Sequence, residues 1–276
     1  MLRKLLKYDF KSVMKLWGLG ALIVLALSVF GGLCLRVISS DRTFHEIIYL
    51  TCGLGLFLTY LAICAFAILT FVLLAVRFYK NFFTDEGYLT FTLPVKLHTL
   101  MNSKLILALV TEFITFLVGM AAILLVLFVG LGSAFGEVFK NIGEGLKMLC
   151  QEGYIGWAIL YFVEFLVVMS LGSAFSSLFM GCCITFGAVI AKRAKVLAAI
   201  GIYYAANSVF STVTSIFLMF GFGAFTTWVD SAQLTGAQER TVFALTMFGI
   251  AALLGLLCSM LYTLQYRLLD RKLNLP

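Results

Sequence analysis

The chain has 276 residues, of which 62% are hydrophobic and only 12% charged, with a mean hydropathy of +1.07 and a net charge of +7. A soluble domain carries about one-quarter charged residues, so composition excludes a soluble fold and points to an all-α membrane protein. Six apolar runs reach the roughly 20 residues that one lipid-spanning helix needs, and together they leave no room for a separate soluble domain.

The first 15 residues place Arg3, Lys7, Lys11 and Lys15 at every fourth position, with Leu2, Leu5, Leu6, Phe10, Val13 and Met14 filling much of the rest. Such a segment is expected to lie as an amphipathic helix in the membrane interface, with Trp17 as an interfacial anchor. The blander alternative is a basic leader that only fixes topology. The apolar run behind it is longer than a signal-peptide core and lacks a small-residue cleavage site, so it reads as a retained span.

Spans are expected at about 16–35, 47–76, 105–131, 157–191, 197–222 and 242–264. They are continuously apolar and lack the ten-residue alternation of barrel strands, so they read as helices. The second is expected to continue as a helix through Phe83. Between the third and fourth, residues 133–155 put Phe135, Val138, Phe139, Ile142, Leu146 and Leu149 at helical spacing, with Glu137, Lys140, Glu144 and Lys147 between them. That pattern predicts an amphipathic helix at the outer surface. The polar segment 223–241 reads as short helices near the outer interface. The turn Lys192-Arg193-Ala194-Lys195 reads as a headgroup anchor.

Orientation follows from charge. With the N-terminus inside, 15 of the 20 Lys and Arg residues fall on inner segments. The positive-inside rule therefore puts both termini in the cytoplasm. Topology accounts for the positive balance, and no nucleic-acid partner is implied.

No catalytic motif is present. The chain lacks the glycine-rich phosphate loop ending in Gly-Lys-Ser/Thr, the His-Glu-x-x-His zinc motif and a nucleophile elbow, so it is not expected to be an enzyme. The seven cysteines show no Cys-x-x-Cys and no metal-ligand spacing with histidine. His45 and His98 belong to opposite sides, so no metal site is expected. Cys34 and Cys52 fall near the outer ends of adjacent spans and either pair or remain free thiols.

The connection over 84–104 holds the one proline that precedes the C-terminal residue. Thr84-Asp85-Glu86-Gly87 supplies turn chemistry. Residues 88–93 alternate aromatic, aliphatic and Thr side chains. Pro94 suits the first position of a new helix, where its missing N–H costs nothing. Residues 95–104 are then expected to form a short helix across the inner membrane surface. Val95, Leu100 and Met101 would face the protein or a partner, and Lys96, His98, Asn102 and Lys104 would stay in water.

This connection resembles that of the ABC-2-type permeases, the membrane subunits of a large class of ABC exporters. The residues that carry the likeness are Glu86-Gly87, Leu89, Leu93-Pro94-Val95 and Ser103-Lys104-Leu105. The layout agrees along the whole chain, while the sequence-specific likeness is confined to about residues 79–105. Where the family often has Ser-Arg after Pro-Val, this chain has Lys96-Leu97. The resemblance implies that 94–104 is a coupling helix seated in a groove of a separate ATP-binding subunit, which also holds the ATP and magnesium. It implies contact through Asp85, Glu86, Gly87, Leu93, Pro94, Val95, Lys96 and His98. It further implies a second permease copy, identical or not, and a place in a bacterial cytoplasmic membrane. A plain topological connector is the alternative.

Two ionisable residues lie inside spans, Glu112 and Glu164, and such residues are functional candidates by default. Their depths differ, which argues against a direct pair. Glu112 either binds a cationic substrate or is a structural partner of Lys104 or a hydroxyl. Tyr204, Ser208 and Ser211 recur at helical spacing beside Asn207, and this face is the better candidate for a cavity lining. A second stripe, Ser170, Ser173, Ser177, Gly181 and Thr185, reads as packing. Three functions stay open at this point: an ABC exporter permease for a drug-, peptide- or lipid-like cargo, an ion- or proton-coupled carrier using Glu112 or Glu164, and a membrane scaffold or immunity protein.

Overall fold

A computed structural model describes residues 2–40, 45–84, 97–151, 153–191, 194–232 and 235–272. Among them stand seven α-helices and no strand: α1 (Leu2–Ile38), α2 (Glu46–Phe83), α3 (Leu97–Leu131), α4 (Ser133–Gln151), α5 (Ile155–Ile190), α6 (Lys195–Ser231) and α7 (Gly236–Lys272). All but α4 are long and apolar enough to cross a membrane, as in a multi-pass membrane protein. A helix meets every backbone hydrogen bond within its own segment, which lipid demands. No proline interrupts any of the seven.

The six long helices have 35 to 38 residues. At about 1.5 Å per residue they are over 50 Å long, well beyond the roughly 30 Å hydrocarbon layer. Hydropathy marks only the most apolar part of each helix, and the helices run on through more polar residues at their ends. The expected extension of α2 to Phe83 is present. So is the amphipathic helix after the third span, as α4. Gly132, at φ 52°, turns the chain from α3 into α4, a backbone conformation that glycine adopts without strain.

Three expectations are corrected. The segment 1–15 is not set off from the first span; from Leu2 onward it is the start of one unbroken α1. Its inward stripe is Asp9, Val13, Trp17, Ala21, Val24 and Ser28, all buried. The lysines at 7, 11 and 15 occupy the opposite, exposed side. Trp17 is not an interfacial anchor: it is 5% exposed, and its Nε1–H donates to Thr115 Oγ1 at 2.8 Å. Residues 223–241 form no separate short helices. They extend α6 to Ser231 and begin α7 at Gly236.

The chain divides into two compact units, and the division falls within α2 and within α3. The first unit holds α1, α2 to Arg77, α3 from Ile106, and α4. Here α1 and α2 run antiparallel along a seam of small residues. A Cβ added at Gly31 would stand 2.5 Å from Thr59 Oγ1, and one at Gly55 would stand 2.8 Å from Cys34 Sγ. Small residues of this kind let membrane helices approach closely. α3 joins them with Val129 against Gly32 and Leu35 against Gly130. Thr70 and Thr115 place their hydroxyls 3.3 Å apart, which ties α2 to α3 beside Trp17. At the N-terminal end of α1, Asp9 Oδ1 accepts from Arg77 Nη2 at 2.9 Å and from Nε at 3.1 Å.

The second unit holds the end of α2 from Phe78, the start of α3 to Leu105, and α5, α6 and α7. α5 packs against both α6 and α7. It runs antiparallel to α6, with Phe179 meeting Tyr203 and Phe175 meeting Phe210. It runs parallel to α7, with Tyr161 meeting Phe243 and Cys182 Sγ donating to the Leu261 carbonyl. The last third of α5, Leu178 to Gly187, is its buried part.

Candidate functional site

The connection singled out by the sequence lies between α2 and α3. Asp85, Glu86, Gly87, Leu93, Pro94, Val95 and Lys96 lie outside the described residues. Both flanks are described, and both are anchored in the second unit.

On the α2 side, Phe82 is 0% exposed and Asn81 and Phe78 are buried. The rings of Phe78 and Phe82 lie 4.9 Å apart, and Tyr79 stacks on Phe83 at 5.9 Å. The helix ends as Thr84 Oγ1 donates to the Lys80 carbonyl at 2.6 Å. This is the aromatic run Phe78-Tyr79-x-x-Phe82-Phe83, which a helix gathers onto neighbouring faces.

On the α3 side, the expected short helix over 95–104 is not a separate element. From Leu97 onward it is continuous with the third span. Leu100 is 1% exposed and Met101 is also buried, as their apolar character required. Ser103 is fully buried, with its Oγ donating to the Leu100 carbonyl at 2.7 Å. Lys104 corrects the expectation of a wet side chain: it is buried, and it is engaged with a neighbour. Its position in the helix, four residues after Leu100, puts it on the inward face.

His98 and Asn102 do sit on the exposed face of α3, one turn apart, and α7 covers them with Tyr262 and Tyr266. Tyr262 Oη donates to Asn102 Oδ1 at 3.0 Å. A phenol has one proton to give, so His98 Nδ1, 3.0 Å from the same oxygen, carries the hydrogen and donates to it. The imidazole also stacks on Tyr266, with ring centres 4.1 Å apart and planes 8° from parallel. His98 is therefore held by its own chain at one nitrogen and one ring face. Sequence reasoning missed Tyr262 and Tyr266; their four-residue spacing at the end of the last span was the available signal. Replacing Tyr262 with phenylalanine should lower stability by about 1–2 kcal/mol, for the two hydrogen bonds its hydroxyl makes with Asn102 and His98. A thermal melt in lipid nanodiscs reads that loss, and in a His98→Ala background Tyr262→Phe should cost only the bond to Asn102, about half as much.

The residues proposed for a substrate path divide between the units. Glu112 belongs to the first unit, is half-buried, and is engaged with a neighbour. Glu164, Tyr204, Asn207, Ser208 and Ser211 belong to the second. Tyr204 is 78% exposed, and Asn207, Ser208 and Ser211 are exposed with it. They form a polar stripe on the outside of a helix otherwise suited to lipid. Glu164 is half-buried, and its Oε2 is shut off from solvent with no hydrogen-bond partner among the described residues. It follows Trp157 and Tyr161 by seven and three residues, so all three share a face of α5. At the start of α7, Arg240 lies with its guanidinium 6.0 Å from the Trp157 ring centre, and its carbonyl accepts from Tyr161 Oη at 3.1 Å. The second small-residue stripe behaves as packing toward its C-terminal end, where Gly181 and Thr185 are buried.

No family model, curated protein or solved structure matches the chain.

Proposed function

We propose that this chain is the membrane-spanning permease subunit of an ABC-2-type exporter in a bacterial cytoplasmic membrane. It works with a separate ATP-binding subunit and a second permease chain, and it exports a drug-, peptide- or lipid-like molecule. The observation that carries this reading is the anchoring of the 85–96 connection on both sides, at Phe82 and at Leu100. A mechanical input needs a lever whose ends are fixed to what must move. A push on this connection would pass through Leu100 and the His98–Tyr262 contact into α7. The Glu-Gly, Leu-Pro-Val and Ser-Lys-Leu pattern supports the reading from the sequence, and the charge bias supports a cytoplasmic position for this connection and for both termini.

The exposed stripe on α6 supports a transport role. Tyr204 and Asn207 cost free energy against lipid unless water or protein meets them. A cavity shared with the second permease would do so. Nucleotide and magnesium belong to the partner ATPase, since this chain has no phosphate-binding loop.

A pull-down from the native membrane tests the proposal. The wild-type chain should retain a P-loop ATPase, and Glu86→Ala and Pro94→Ala should reduce the retained ATPase about tenfold while leaving the melt of the chain unchanged. Undiminished retention in both variants overturns the assignment of the contact.

One observation favours a second reading. Glu164 Oε2 is shut off from solvent with no hydrogen-bond partner among the described residues, and an ionisable residue inside a span is a functional candidate by default. An ion- or proton-coupled carrier would use it directly. That reading requires uphill transport by the purified chain without any ATPase, abolished by Glu164→Gln.

A further inference from the structure

Near the C-terminal end of α1 the backbone comes close to α2 for a plain reason: small residues face each other. Gly31 leaves room for Thr59, and Gly55 leaves room for Cys34, whose Sγ would be only 2.8 Å from a Cβ at that glycine. Thr59 Oγ1 closes the seam, reaching the Leu27 carbonyl at 3.3 Å and the Gly55 carbonyl at 2.9 Å. Cys52 stands three residues before Gly55, on the same face of α2 and one turn nearer its start. The antiparallel register set by Phe30 against Gly55 and Thr59 against Gly31 places Cys52 opposite Cys34. The two thiols lie within interaction range of each other, and both are free. Cys34 is buried and Cys52 is half-buried. A disulfide needs Cα atoms about 4.4–6.8 Å apart, and side-by-side helices come that close where glycine lines the contact.

We propose that Cys34 and Cys52 are a disulfide-forming pair, a redox modification site that clasps α1 to α2 at this end of the first unit. The oxidant is a disulfide, or an azo compound whose N=N bond is reduced to the hydrazine as it takes up the two electrons and two protons that the thiols release. With a disulfide oxidant, the more accessible Cys52 gives up its proton, and its thiolate attacks one oxidant sulfur and expels a thiolate. Cys34, deprotonated in turn, attacks Cys52 Sγ and expels the second thiol. Two protein thiols become one disulfide, and the oxidant disulfide becomes two thiols, so protons and electrons balance. The cross-link joins α1 to α2 across the connection between them, and the α1–α2 seam then cannot part at this end.

The test uses the full chain in lipid nanodiscs, first reduced with a phosphine and then treated with diamide. The protein is then denatured, alkylated and digested for mass spectrometry. The expected product is a peptide pair linked through Cys34 and Cys52, with alkylatable thiols falling from seven to five. Cys52→Ser should remove that product and leave Cys34 alkylated. Recovery of Cys34 and Cys52 both fully alkylated from the diamide-treated wild type overturns the proposal, as does a linkage of Cys34 to any other cysteine.

Discussion

Replacing Phe82 with alanine should destabilise the chain by about 3–5 kcal/mol, the cost of emptying a fully buried aromatic site. Phe82 is 0% exposed and its ring packs on Phe78. It lies within one turn of the end of α2, beside Phe78 and Phe83 of its own helix. Packing, more than hydrophobic transfer, holds membrane helices together, and the lost contacts count whatever solvent surrounds them. Phe83, next in sequence but half-buried, should cost less when truncated. Urea or SDS titration in mixed micelles compares the two. Equal losses would mean that Phe82 is not the anchor of this flank.

The second large effect is expected at Gly187. A Cβ there would lie 2.5 Å from both the backbone nitrogen and the Cα of Ala199. Backbone cannot swing aside as a flexible side chain does. Gly187→Leu should therefore part α5 from α6 near their connection and cost about 3 kcal/mol or more, the upper range for overpacking. Gly181 offers the contrast. Its added Cβ would meet the end of the Gln265 side chain, 2.5 Å from Nε2, and that amide can rotate away. Gly181→Ala should be milder than Gly187→Ala in the same titration, and the reverse order would contradict the close backbone crossing.

The six long helices were legible because lipid imposes a crude requirement that composition alone satisfies. Their ends were not, because hydropathy falls toward the ends of each helix while the helix itself continues. Hence the segment 1–15 and the start of α3 read as separate surface helices and turn out to be ends of long ones. Lys104 and Trp17 were misplaced for a related reason. A lysine suggests water and a tryptophan near a basic run suggests the interface, but in both cases helical phase puts the side chain inward. Leu100 and Met101 were placed correctly because periodicity and chemistry agreed. At the candidate site, His98 was singled out by its position beside Leu-Pro-Val, whereas its partners lie more than 160 residues away on α7. A contact of that sequence separation leaves no local trace beyond the Tyr-x-x-x-Tyr spacing. The polar stripe of α6 was visible because four polar residues on one face of an apolar helix stand out against any lipid-facing background.

The exporter proposal depends most on what touches the connection between α2 and α3. A photo-activatable cross-linker in place of Glu86, irradiated in intact membranes, identifies its neighbour directly. The proposal predicts a covalent adduct with a P-loop ATPase that disappears on Pro94→Ala. Adducts with lipid alone, or with a protein on the outer face of the membrane, would contradict it.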